Sequence, residues 1–104
     1  MTCTLPTPQV YAVEQDEVMS GICARVTADI AAIQVLHCSS AEFDISETHV
    51  DVIVTETLDS IGIGEGVVES CYDLAYRSNN TRLQFIPSKI ELLGFLVHSE
   101  TLHR

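Results

Sequence analysis

The feature that most constrains the fold of this chain is a β-branched run that ends in an acidic, glycine-rich segment. Residues 50–55 read Val-Asp-Val-Ile-Val-Thr, a composition typical of a strand buried on both faces. Glu56 ends the run, glycines follow at 62, 64 and 66, and a second glutamate, Glu65, lies among them. Because open α/β sheets bind ligands beyond the carboxyl ends of their strands, this pattern predicts a site.

The two glutamates limit what that site could bind. Carboxylates accept hydrogen bonds and donate none, so the expected guest is a cation with several donors. A planar guanidinium suits paired carboxylates better than an ammonium does. A divalent metal is the competing guest, but no histidine lies in the segment and only Asp59 could add a third carboxylate. A solvated acidic loop with no ligand is the alternative that spacing alone leaves open.

The rest of the chain predicts alternating strands and helices. Asp16 is a suitable N-cap for a helix with an apolar stripe at steps of three and four, formed by Val18, Met19, Ile22, Cys23, Val26 and Ile30. The helix after the glycines should bury Val67, Val68, Cys71, Leu74 and Ala75. The predicted elements are a strand at 10–13, a helix from 16 to about 33, strands at 33–37 and 50–55, a helix at 66–77 and a strand at 90–98. This order is typical of part of a doubly wound α/β sheet.

Charge and cysteine content narrow the partners. A net charge of −10 argues against nucleic acid or an anionic membrane surface as partner and is compatible with a basic protein or peptide. No apolar run approaches the length of a membrane span. The four cysteines, at 3, 23, 38 and 71, are scattered without a C-x-x-C pair, so we expect reduced thiols and no metal site. The predicted compartment is the cytoplasm or the nucleus.

The segment from Val54-Thr55-Glu56 to Gly64-Glu65-Gly66 resembles the double-glutamate loop of protein arginine methyltransferases, above all their divergent tandem-domain members. The similarity continues through Val67-Val68-Glu69-Ser70 and Phe85-Ile86-Pro87, and reaches back to Val10-Tyr11-Ala12-Val13-Glu14. It implies a Rossmann-like class I methyltransferase fold with S-adenosylmethionine as methyl donor. Residues 1–9 would be a lead outside the resemblance, and residues 10–104 a partial methyltransferase domain.

The resemblance also assigns roles to individual residues. Glu56 and Glu65 would be catalytic, Glu14 would bind the donor's ribose, and the segment Ser40-Ala41-Glu42 would lie against its adenine. Many relatives carry a glutamate at the position of Ala41, whereas this chain has its acid one step later, at Glu42.

The chain departs from the family pattern at both ends. The first strand, its glycine-rich turn, the barrel domain and the dimerisation arm have no counterpart in these residues. We therefore expect a fragment that by itself is inactive.

The predicted function is methyl transfer to a guanidino nitrogen of arginine in protein substrates. One alternative is a catalytically dead, acidic interaction module derived from such an enzyme. Another is a class I methyltransferase acting on a small molecule, which has no general need for two glutamates in this loop. The histidines at 37, 49, 98 and 103 have no metal-ligand spacing and are predicted to be structural or surface groups. Tyr72 and Tyr76, one helical turn apart, are predicted to pack.

Overall fold

The computed structural model describes residues 9–101. Within this range the elements are β1 (Val10–Glu14), α1 (Glu17–Val26), β2 (Ile33–His37), β3 (Val52–Val54), α2 (Val67–Arg77) and β4 (Gln84–Ile86). The first eight residues of the predicted lead, together with Cys3 and His103, lie outside the described range. The predicted bounds of β1, β2 and α2 are confirmed to within one residue.

The strands form two separate parallel pairs. β1 pairs with β2, with Val10 opposite Ile33 and Glu14 opposite His37. β3 pairs with β4, with Val52 opposite Gln84. Each pair has a helix in its connection, as parallel strands require. In the described part of the chain no ladder joins the two pairs, so a single doubly wound sheet remains a prediction.

Helix α1 begins as predicted and ends earlier. The Asp16 side chain accepts a hydrogen bond from Met19 N at 2.8 Å, which caps the helix. At the other end the Thr27 hydroxyl donates to Cys23 O, and Ile30 N bonds to Thr27 O in a turn. The prediction of a helix to about residue 33 is wrong, because this turn is needed to bring the chain back to β2.

The predicted core stripe of α1 is wrong except at Cys23, which is half-buried. Val18 is 69% exposed and Val26 is 68% exposed, whereas Ser20, outside the predicted stripe, is buried. The helix packs against both β1 and β2, and Ser20 and Cys23 are its residues that are not exposed. The larger apolar side chains are therefore left in solvent.

Helix α2 starts at a glycine in the left-handed region. Gly66 is the N-cap, with a φ of 74°, a conformation that costs glycine little. Val67 and Leu74 are buried and Cys71 is half-buried, as predicted. Val68 and Ala75 are exposed, so the apolar face is narrower than expected. Tyr72 and Tyr76, predicted to pack, are exposed as well.

Two predictions about strands are wrong. The central strand, expected to be buried on both faces, is only Val52–Val54, and Val54 is 72% exposed. The predicted strand at 90–98 is absent from the described residues, where this segment is irregular. Residues 90–98 are exposed throughout, unlike a strand within a sheet.

The molecule is extended. Its Cα radius of gyration is 18.4 Å, whereas a compact domain of this length has about 13 Å. Ile45, Val67 and Leu74 are the buried apolar residues in the described part of the chain. The 38–44 turn, defined as residues 38–44 after β2, lies beside this core. The Phe43 ring in that turn is 5.8 Å from the ring of Tyr11 in β1, which ties the turn to the first pair of strands.

Candidate functional site

The predicted site lies on the segment between β3 and α2, residues 56–66, called here the glutamate loop. Thr55 N bonds to Ile86 O, which extends the β3–β4 pairing to the start of the loop. Inside the loop Gly62 N bonds to Asp59 O, and Gly62 has a φ of 81°. These bonds and the left-handed glycine turn the chain back toward α2.

Asp59 holds this loop together. Its Oδ1 accepts from Ile61 N at 3.1 Å, a local side-chain-to-backbone bond of the kind that stabilises turns. The carboxylate also lies directly against Gly64, where an added Cβ would be 1.9 Å from Asp59 Oδ2. Gly64 is therefore needed for close approach. Asp59 is committed to the loop and not free to bind a ligand with both oxygens.

Glu56 and Glu65 differ from Asp59. Both are exposed, and neither carboxylate has a hydrogen bond or ion pair with any residue between 9 and 101. Glu56 lies two residues after the end of β3, and Glu65 directly precedes the N-cap of α2. The structure thus places the two predicted catalytic residues at opposite ends of one loop, with their acceptors available to solvent or to a ligand.

Glu14 ends β1, at the same edge of its sheet as the end of β2. It is half-buried, and its Oε1 accepts from Asp16 N at 2.8 Å. Its register partner is His37, whose Nε2 is 3.2 Å from Gln15 O. One carboxylate oxygen therefore shapes the turn into α1, and the other has no partner within the described residues.

The candidate adenine residues lie in the 38–44 turn, which begins directly after β2. Glu42 Oε2 accepts from Ser39 N at 2.8 Å, and this backbone donor lowers the pKa of the Glu42 carboxyl from its ordinary value. Glu42 N and Phe43 N both donate to Ser39 O. Ala41 is exposed. Glu42 thus holds its own turn in shape, a task that sequence reasoning did not assign to it.

Arg77, which sequence reasoning did not single out, connects this turn to α2. Its Nη1 donates to Phe43 O at 2.7 Å and its Nη2 to Ser40 O at 2.8 Å. Its Nε and Nη2 also donate to Asp73 Oδ2, which lowers the pKa of Asp73. The i,i+4 spacing of Asp73 and Arg77 in the sequence could have predicted their ion pair. No sequence pattern predicts the contacts of Arg77 with the two carbonyls.

An apolar groove lies beside the glutamate loop. Its volume is about 500 Å³, within the usual range of ligand pockets, roughly 300–1,000 Å³. The lining comes from Thr55, Ile63, Val67, Val68, Cys71, Tyr72, Phe85, Pro87, Ser88, Lys89, Ile90 and Leu92. Burial raises the pKa of the Cys71 thiol, so this thiol is not an activated nucleophile.

Other predicted groups are placed as follows. Cys23, Cys38 and Cys71 are free thiols. His37 and His49 are exposed, and His49 Nε2 is 3.2 Å from Asp51 Oδ1. Between residues 9 and 101 no three side chains of the His, Cys, Asp or Glu types come together as metal ligands would. Neither helix in that range has the length and apolar character to cross a bilayer.

The sequence was also compared with known proteins. No protein-family model matches it, and no curated protein is significantly similar to it.

Proposed function

We propose that the glutamate loop binds the guanidinium of an arginine in a protein or peptide, and that the chain is part of an S-adenosylmethionine-dependent protein arginine methyltransferase. The observation that carries this proposal is the difference between its three carboxylates. Asp59 is used by the loop, whereas Glu56 and Glu65 are exposed and have no partner among residues 9–101. Two free carboxylates on one loop match the forked donors of a guanidinium.

The residues proposed for the methyl donor fit it in part. Glu14 ends β1 and the Ser40 segment follows β2, and these parallel strands end at the same sheet edge. The free oxygen of Glu14 could accept from ribose hydroxyls, as acidic residues at this strand end do in dinucleotide folds. The carbonyl of Ser40 accepts from Arg77, and Glu42 accepts from Ser39. Ala41, the exposed member of the segment, is then the residue best placed to meet an adenine ring.

S-adenosylmethionine would supply an electrophilic methyl group, and the glutamates would prepare the arginine to accept it. Arginine stays protonated in proteins, so Glu56 and Glu65 act by orientation and charge. Their hydrogen bonds draw the positive charge toward two of the guanidinium nitrogens and leave the third better able to attack. On transfer, the S–CH3 bond of the donor would break as the N–CH3 bond forms, and the proton on that nitrogen would be released to solvent. Rate would come from positioning and electrostatics.

The test is binding of an arginine peptide to the 104-residue chain at low salt, measured by fluorescence anisotropy. We expect no methyl transfer from this chain alone, so turnover is not the readout. Glu56→Gln and Glu65→Gln each remove charge-assisted hydrogen bonds worth about 1.5–3 kcal/mol, or roughly 10- to 100-fold in Kd.

The control is Glu47→Gln, which removes the same charge from another exposed glutamate. It should change Kd little, because general electrostatic attraction is spread over the whole surface. A peptide with citrulline in place of arginine should bind no better than the glutamine variants do. Equal affinity of wild type, Glu56→Gln and Glu65→Gln for the arginine peptide would contradict the proposal.

A second function, an acidic interaction module without catalysis, is favoured by one observation. The molecule is extended and leaves many large apolar side chains in solvent, as interaction surfaces do. Calorimetry with S-adenosylmethionine separates the two functions, since only the methyltransferase requires donor binding. We propose a cytoplasmic or nuclear location for either, with which the three free thiols are compatible.

A further inference from the structure

Some residues that line the groove belong to the glutamate loop or adjoin it in the sequence. Thr55, which lines the groove, is bonded to Glu56, and Ile63 lies two residues before Glu65. Consecutive Cα atoms are about 3.8 Å apart. The Cα of Glu56 is therefore one residue from the groove lining, and that of Glu65 is two residues from it.

The groove is apolar and is not filled by the chain's own core. Tyr72 is 74% exposed and Val68 is 56% exposed, although both line it. Exposed aromatic side chains at the edge of a concave apolar surface are typical of protein-binding sites. The groove therefore offers a place for an apolar side chain of a partner.

The charges around the groove define the partner further. Lys89, the basic residue in its lining, forms an ion pair with Glu91. Glu56 and Glu69 adjoin lining residues in the chain, and Glu65 is two residues from Ile63 and Val67. All three glutamates are exposed and have no side-chain ion pair within the described range. With a net charge of −10 on the whole chain, the field around the groove favours a cationic partner.

We propose that this groove takes an apolar side chain of the same basic peptide whose arginine binds the glutamate loop. The inference rests on the proposed function and adds a specificity: arginine followed two residues later by a large aliphatic residue. In an extended peptide, residues i and i+2 lie on the same face and are about 7 Å apart. Both side chains then reach the protein together, the arginine at the loop and the aliphatic residue in the groove.

The test uses two peptides of equal charge on the full chain, one with Arg-Gly-Leu and one with Arg-Gly-Ser at its centre. Fluorescence anisotropy should show the leucine peptide binding about 3- to 20-fold more tightly, as expected for partial burial of one aliphatic side chain in an open groove. Tyr72→Ser should abolish this preference and leave the affinity for the serine peptide unchanged.

Tyr76→Ser is the matched control. Tyr76 is on the same helix, one turn further along, and is 82% exposed, but it does not line the groove. It should leave both affinities unchanged. Because both tyrosines are exposed, neither substitution should unfold the chain, which circular dichroism checks.

The outcomes separate the two proposals. If the two peptides bind equally while Glu56→Gln weakens both, the groove inference is wrong and the guanidinium site stands. If Tyr72→Ser and Tyr76→Ser have the same effect, the groove inference is also wrong. If the leucine preference persists but neither glutamate variant changes any affinity, the proposed function fails, and the groove binds apolar peptides by itself.

Discussion

Two acidic segments of this molecule, each following a strand end, use their carboxylates in opposite ways. In the 38–44 turn, Glu42 accepts from Ser39 N and Asp44 accepts from the Ser46 hydroxyl. Arg77 bonds to two carbonyls of the turn. In the glutamate loop, Asp59 has such a role, but Glu56 and Glu65 do not. Carboxylates that hold the backbone are structural, whereas those left without partners are the ones available to a ligand.

The 38–44 turn also has an anchor that the glutamate loop lacks. Arg77 reaches it from α2, and Phe43 reaches β1 through Tyr11. The glutamate loop is held by its own backbone bonds and by Asp59. Within residues 9–101 the loop has no hydrogen bond to a distant element, so local opening should cost it less.

The largest expected effect comes from removing the anchor. Arg77→Ala leaves the carbonyls of Ser40 and Phe43 and the Asp73 carboxylate without this donor. Hydrogen bonds from a charged donor contribute about 1.5–3 kcal/mol each and are not additive. We expect a loss of about 2–3 kcal/mol in the free energy of unfolding, measured by urea denaturation.

Arg82→Ala is the control for that experiment. Arg82 is exposed, and the one hydrogen bond that it makes in the described structure uses its backbone N. Its removal should change stability by less than about 0.5 kcal/mol. Equal effects of the two substitutions would show that the two segments do not differ in their anchoring.

An intermediate effect is expected inside the glutamate loop. In Gly64→Ala the new Cβ would displace the Asp59 carboxylate, and the hydrogen bond to Ile61 N would be strained or lost. We expect the free energy of unfolding to fall by about 1 kcal/mol and hydrogen exchange at Ile61 to become faster.

Gly21→Ala is the control, in the middle of α1 with open space around the new Cβ. It should instead raise the free energy of unfolding by up to about 1 kcal/mol.

The double variant Asp59→Ala with Gly64→Ala tests whether the effect of Gly64→Ala arises from its contact with Asp59. Asp59→Ala removes the three atoms that lie nearest to a Cβ at 64. The two substitutions together should cost less than the sum of their separate costs. Strict additivity would mean that Asp59 and Gly64 do not depend on each other.

Local signals predicted the first two strands and the starts of both helices, but not the end of α1, the strand β4 or the burial of most apolar side chains. Asp16 marked the start of α1 and Gly66 the start of α2, because caps depend on the few residues around them. The same reasoning placed Glu56 and Glu65 at the ends of a turning loop. The burial of α1 depends instead on its contacts with β1 and β2. The residues of this helix that are not exposed are Ser20, outside the predicted stripe, and Cys23, within it.

The contacts that sequence reasoning missed are those between distant residues. Arg77 meets carbonyls 34 and 37 residues earlier in the chain, and backbone carbonyls have no residue type that could signal them. The role of Glu42 was missed for a related reason. An acidic residue three positions after Ser39 can bind either a ligand or the turn's own N–H, and only the conformation of the turn decides between them.

The smallest expected effect is a pH response confined to the 38–44 turn. The Ser39 N–H, together with the Ser39 hydroxyl and His37, lowers the pKa of Glu42 in the folded chain. The Ser39–Glu42 bond therefore contributes to the stability of the turn at pH values above the ordinary glutamate pKa. This contribution is lost as pH falls through the lowered pKa of the folded chain.

In an NMR titration from pH 7 to pH 3, the Ser39 amide proton should shift with an inflection below the ordinary glutamate pKa. Glu42→Gln should remove that inflection, and Glu56→Gln should leave it in place. An unchanged Ser39 titration in Glu42→Gln would mean that another acid controls this amide, and that the contrast between a bound carboxylate in the turn and free carboxylates in the loop is wrong.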